Sequence, residues 1–76
     1  MRIYEATVID KCAGAEPINF ESYVAVPNNE DDFDLPDGWD DEQIHYYFHK
    51  QEFDEGLHGG EIETEEFKYL IGERVA

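Results

Sequence analysis

The sequence predicts an α+β fold, a small antiparallel sheet of three or four strands with one helix packed on one face. Three observations point there: two stretches that alternate residue by residue, one well-specified helix start, and a hydrophobic content of 41% with 14% aromatic residues. That content exceeds what a solvated acidic tail carries, so a folded core is expected. A chain of 76 residues allows one domain, residues 1–76. A domain this small buries only about 60% of the surface its unfolded chain exposes, which limits it to one thin core layer.

Arg2 to Asp10 opens the chain with Tyr4, Ala6 and Val8 on one face and Ile3, Glu5, Thr7 and Ile9 on the other, the pattern of a half-buried strand. Lys11 to Pro17, with Gly14 and Pro17 as punctuation, fits a hairpin connection. Ile18 to Val26 alternates again, with Ile18, Phe20, Val24 and Val26 aligned, and Pro27 ends the strand because it lacks a ladder donor. An acidic loop comes next. Asp40 is suited to cap a helix, Gln43 stands at the capping-box position, and Trp39 and Ile44 can form the hydrophobic staple. Ile44, Tyr47 and Phe48 have helical spacing, so the helix is expected from Asp41 to about Gln51, fraying towards Gly56. Leu57-His58-Gly59-Gly60 reads as a turn. From Glu61 to Val75 the pattern admits a helical face, but the alternation of Phe67, Tyr69 and Ile71, and Gly72 inside the run, favour a strand or hairpin.

Twenty acids against five bases give a formal charge of −15. Such a surface repels nucleic acid and anionic lipid and attracts a basic protein surface or a cation, so direct nucleic-acid binding is excluded from the expected functions. No apolar run approaches the roughly 20 residues a membrane span needs. Cys12 is the only cysteine. It permits no internal disulfide and reads as an idle thiol in a reducing compartment, which points to the cytoplasm.

The charge is also concentrated. Half of the sixteen residues from Asn28 to Gln43 are acidic; from Cys12 to His49 there are ten acids and no Lys or Arg, and from Gln51 to Phe67 seven more without a base. Helical i,i+4 pairing has too few partners to account for this. A purely solubilising surface is the plain reading. The sharper one is imitation of a nucleic-acid backbone: same-face strand residues repeat every ~6.7 Å, so Glu61, Glu63 and Glu65 would form a row of negative charges spaced comparably to phosphates. Carboxylates also accept bidentate Arg contacts as phosphates do. The candidate partner-binding residues are Glu30, Asp31, Asp32, Asp34, Asp37, Asp40, Asp41 and Glu42 around the loop and helix start, Glu52, Asp54 and Glu55 where the helix frays, and Glu61, Glu63 and Glu65. Tyr46, Tyr47 and Trp39 would add aromatic anchors or else belong to the core. Glu5, Asp10 and Glu73 are expected to matter less.

In size and charge the chain resembles the phage-encoded inhibitors that mimic DNA, which include anti-restriction proteins and some anti-CRISPR proteins. The resemblance implies a non-enzymatic inhibitor in the host cytoplasm that occupies the basic nucleic-acid groove of a CRISPR effector complex or a restriction enzyme.

Other chemistries fit less well. The loop has carboxylates enough for Ca²⁺, but counting back from Asp37-Gly38 puts Leu35 and Phe33 where the EF-hand needs acids, so only an irregular site or a generic interaction module remains as the alternative. Asp41, His45 and His49 would share a helix face and could offer a transition metal three ligands, without the Glu of the HExxH motif. Catalysis needs a cleft that sets two carboxylates apart in pKa, and so short a chain has little room for one. No cofactor and no catalytic residue is expected.

Overall fold

The alternating stretches do form strands. In the computed structural model, which describes residues 1–11, 14 and 18–76, β1 spans Arg2–Asp10 and β2 spans Ile18–Val26. Cys12 and most of the connection read at Lys11 to Pro17 lie outside the described residues. β1 and β2 pair antiparallel without a register break, from Arg2 opposite Val26 to Asp10 opposite Ile18. Even-numbered residues of both strands therefore share one face and odd-numbered residues the other.

The capping box is present, but it starts something other than the expected helix. The Asp40 carboxylate accepts the Glu42 N–H at 3.0 Å, and the Gln43 side-chain oxygen accepts the Asp40 N–H at 2.9 Å. Together they close a single 3-10 turn, Asp41–Gln43. The chain then extends as β3, Ile44–Tyr47, before the helix α1, Lys50–Gly56. The helix expected from Asp41 to about Gln51 is thus replaced by turn, strand and a later, shorter helix. Two causes act together. Ile, Tyr and Phe favour a pleated surface over a helix, and β2 offers an edge whose ladder groups β3 satisfies: Tyr23, Val24 and Ala25 pair with it in parallel. The register slips between Tyr23 and Val24, so that Ile44 and Tyr46 are paired and His45 is the extra residue.

The C-terminal stretch is a hairpin, as its alternation suggests. β4, Glu61–Glu63, pairs antiparallel with β5, Phe67–Arg74, and β5 pairs antiparallel with β1. The tight turn His58-Gly59-Gly60-Glu61 is closed by bonds in both directions between His58 and Glu61, and both glycines have positive φ, as a primed turn requires. The result is a five-stranded mixed sheet in the order β3-β2-β1-β5-β4, one helix beside it. It is wider than the three or four strands expected and not wholly antiparallel.

The sheet buries apolar side chains on both faces. On one, Tyr4, Ala6, Val8, Val24, Val26 and Tyr69 pack with Phe48, Ile62 and the one buried residue of α1, Phe53. Arg2 ties that helix down through Asp54 at 3.1 Å. On the other face Ile3, Ala25 and Ile44 are covered at one end only, by Leu35, Trp39 and Met1. A parallel β2–β3 pair demands a crossover, and the acidic loop is that crossover. Leu35 and Trp39 of that loop seal the end of the sheet, while all its carboxylates except Asp32 are exposed. Trp39 meets Tyr23 edge-on at 4.8 Å.

Candidate partner-binding surface

Registers across the strands define the open part of the second face. One row runs Glu21, Thr7, Leu70, Glu61 across β2, β1, β5 and β4; the next runs Asn19, Ile9, Lys68, Glu63. Acid therefore stands at both ends of the first row and at the β4 end of the second, beside Lys68. Near the centre an open cleft of about 400 Å³ is walled by Glu5, Thr7, Glu21, Tyr23, Leu70 and Gly72. Neither Glu5 nor Glu21 has a cationic partner among the described residues. Both were outside the sequence-based set, although strand alternation already placed Glu5 on the face opposite the core.

The expected carboxylates separate into four groups. In the loop, Glu30, Asp31, Asp34 and Asp37 are exposed, while Asp32 is half-buried. Asp32 accepts the N–H of Asn28 at 3.1 Å and an ion pair from the terminal amine of Met1 at 3.1 Å. The Asn28 bond and that amine hold its carboxyl below the usual range. Asp32 is thus a structural brace, and its role as a displayed charge is corrected accordingly. At the 3-10 turn Asp40 is spent on the cap, Asp41 accepts the Tyr47 hydroxyl, and Glu42 points into solvent. Burial first, then Asp41, push the Tyr47 phenol up to about 12.

Glu52, Asp54 and Glu55 lie on the solvent side of α1, with Asp54 engaged by Arg2. The predicted row Glu61, Glu63, Glu65 is not formed. Glu61 and Glu63 share a face of β4, but the strand ends there, and Glu65 sits in the turn closed by the Thr64 N–H bonding to the Phe67 carbonyl at 2.8 Å. Both strand members are paired, Glu61 with Lys68 at 3.4 Å and Glu63 with Lys11 at 3.2 Å. What the fold does bring together is Glu52 of α1 with Glu61 and Glu63 of β4, across a groove of about 360 Å³ that also contains His58.

The aromatic expectations divide similarly. Trp39 is half-buried, whereas Tyr46 and Tyr47 are exposed. Phe33, which sequence reasoning used only to reject the EF-hand order, is 81% exposed in the middle of the acidic loop. Asp41, His45 and His49 lie on a turn, a strand and a helix cap, so they share no helix face. Among the described residues no group of three metal-ligating side chains is assembled. His45 sits among Phe20, Phe67 and Tyr69, its Nδ1 and the Tyr69 hydroxyl sharing a hydrogen bond of 2.9 Å. Desolvation there lowers the imidazole pKa.

No family model, no curated protein and no solved structure matches the chain. Among the described residues no helix is long and apolar enough to cross a membrane.

Proposed function

We propose that the protein is a non-enzymatic acidic inhibitor of the anti-CRISPR or anti-restriction kind, which occupies the basic nucleic-acid groove of a host defence complex in the host cytoplasm. The observation that carries this reading is the small share of acid that the fold uses. Among the described residues the ion pairs engage Asp32, Asp54, Glu61 and Glu63, and Glu30, Asp31, Asp34, Asp37, Glu42, Glu52 and Glu55 stay exposed without a cation. Uncompensated charge of this size opposes compaction, so a partner that neutralises it supplies a reason for keeping it.

The test is competition for a basic groove. Binding to a CRISPR effector complex or a restriction enzyme should be displaced by DNA or guide RNA and fall steeply between low and high salt. Replacing Glu30, Asp34 and Asp37 together with Lys should abolish inhibition while the melting temperature holds or rises, since none of these side chains is bonded to another of the described residues. Charge reversal at Asp32, Glu61 or Glu63 is a poorer test because each is tied to another part of the chain. A partner without a basic groove, or binding that ignores the loop reversal and persists in high salt, would sink the proposal. A purely solubilising role predicts no specific partner.

A further inference from the structure

β2 is nine residues long and pairs with β1 over all of them, yet only Tyr23, Val24 and Ala25 pair with β3. The direction of the remaining backbone groups is fixed by two bonds. The Ala25 carbonyl accepts the Phe48 N–H at 2.9 Å, on the side away from β1, and Ile3, opposite Ala25, turns its own N–H and carbonyl towards Ala76 and Val75. In an antiparallel pair both ladder groups of a residue point the same way and alternate along the strand. Tyr23, Glu21 and Asn19 therefore face outward with Ala25. Tyr23 is met by β3. No backbone bond among the described residues reaches the outward groups of Asn19 and Glu21.

This free edge is also solvated. Ile18, Asn19, Phe20 and Glu21 are all exposed, with Ile18 at 58% and Phe20 at 42%. Ile18 and Phe20 lie on the face of the His45 and Phe67 rings, Asn19 and Glu21 on the face of the open cleft. Exposed edges are normally guarded by a bulge, a proline, a lysine or a covering element. Here the register is unbroken and no base is present. The opposite edge, β4, is only three residues long.

We propose that the outer edge of β2 at Asn19–Glu21 docks an extended, basic segment of another protein, which joins the sheet as a sixth strand. Two outward N–H groups and two carbonyls supply the ladder, one of each from Asn19 and Glu21. Apolar side chains of the incoming strand cover Phe20 and Ile18 on one face. On the other, a Lys or Arg meets Glu21 at the rim of the cleft, where Glu5 adds a second unpaired carboxylate. Charge selects the occupant: a second copy would bring a further −15 and its own Glu21 to the same edge. The inference does not need the mimicry reading, since any partner with such a strand satisfies it.

The probe is a peptide of alternating lysine and valine, set against a lysine–proline peptide of the repeat Lys-Pro-Pro with the same number of lysines, in which no two successive residues on either strand edge carry an N–H for the ladder. The lysine–valine peptide should slow amide exchange at Asn19 and Glu21, and the lysine–proline peptide should not. Asn19→Pro removes one outward donor without changing charge or the β1 ladder, and should weaken lysine–valine binding by at least about tenfold. Its binding of the lysine–proline peptide should be unchanged. Should that variant fold poorly, exchange in the unaltered protein decides. Equal binding of the two peptides without protection at Asn19 and Glu21 would overturn the proposal, as would protection there that grows with protein concentration alone, the signature of a second copy. The loop reversal at Glu30, Asp34 and Asp37 should leave the amide protection in place, so the two readings can fail separately.

Discussion

His45 shows how one residue can depend on its surroundings for its chemistry. The register slip in β3 makes it the extra residue, and it lies against Phe20, Phe67 and Tyr69. Water is partly excluded, so the charged imidazolium is disfavoured in the folded state and its pKa falls below the ordinary 6.5. The unfolded chain then binds the proton more readily. Stability is present in full above pH 6.5 and is lost as pH falls from there through the depressed native value. His45→Gln keeps a partner for Tyr69 and cannot titrate. Its melting temperature should therefore fall less than that of the unaltered protein as pH drops below 6.5. Parallel curves would show that His45 is not the group responsible. Tyr69, fully buried and raised by that burial to about 12, stays protonated throughout this range.

At the scale of elements, the same capping box can start a 3-10 turn or a helix, because its bonds satisfy only the first turn. The conformation beyond that turn is decided by where Ile44 to Phe48 find partners. The cap itself still contributes. Asp40→Ala should destabilise by about 0.5 to 2 kcal/mol, or very roughly 2 to 15 °C in melting temperature for a domain of this size. Asp40→Asn, which preserves the acceptor and removes the same charge, should not. Equal midpoints for the two variants would assign the effect to charge and rule out the cap as its cause. The His58–Glu61 turn and the end of β2 were legible for a local reason: Gly59-Gly60 tolerates positive φ, and Pro27 lacks a ladder donor.

Over the whole molecule the dominant long-range force is self-repulsion at −15, eased among the described residues by four ion pairs of 3.1 to 3.4 Å. Exposed charges are screened beyond about 10 Å at 0.1 M salt and about 3 Å at 1 M. Melting temperature should therefore rise with NaCl over that range, an effect opposite to that expected of a protein held together by surface ion pairs. Millimolar Ca²⁺ and Mg²⁺ at matched concentration should shift it equally. A large Ca²⁺-specific rise would mean that the loop binds that ion in the folded state by mass action.

Local pattern determined β1, β2, the end of β2 at Pro27 and the turn at Gly59-Gly60, and favoured a strand or hairpin from Glu61 to Val75 without choosing between them, because alternation and turn chemistry act over a few residues and leave a trace in the order of side chains. The excess of acid was legible in the same way, as composition. Which carboxylates are free was not. Asp32 is claimed by Met1 and Asn28, Glu61 by Lys68, Glu63 by Lys11, while Glu5 and Glu21 meet at one cleft. Those outcomes depend on strand order. The segment Ile44–Tyr47 reads as helix from its own spacing and cap until β2 presents an edge; as a strand it turns the acidic loop into a crossover and leaves the outward backbone groups of Asn19 and Glu21 without a partner among the described residues. Only the tertiary structure decides this, since a ladder bond is satisfied by whichever strand lies beside it and the sequence of one strand does not name its neighbour.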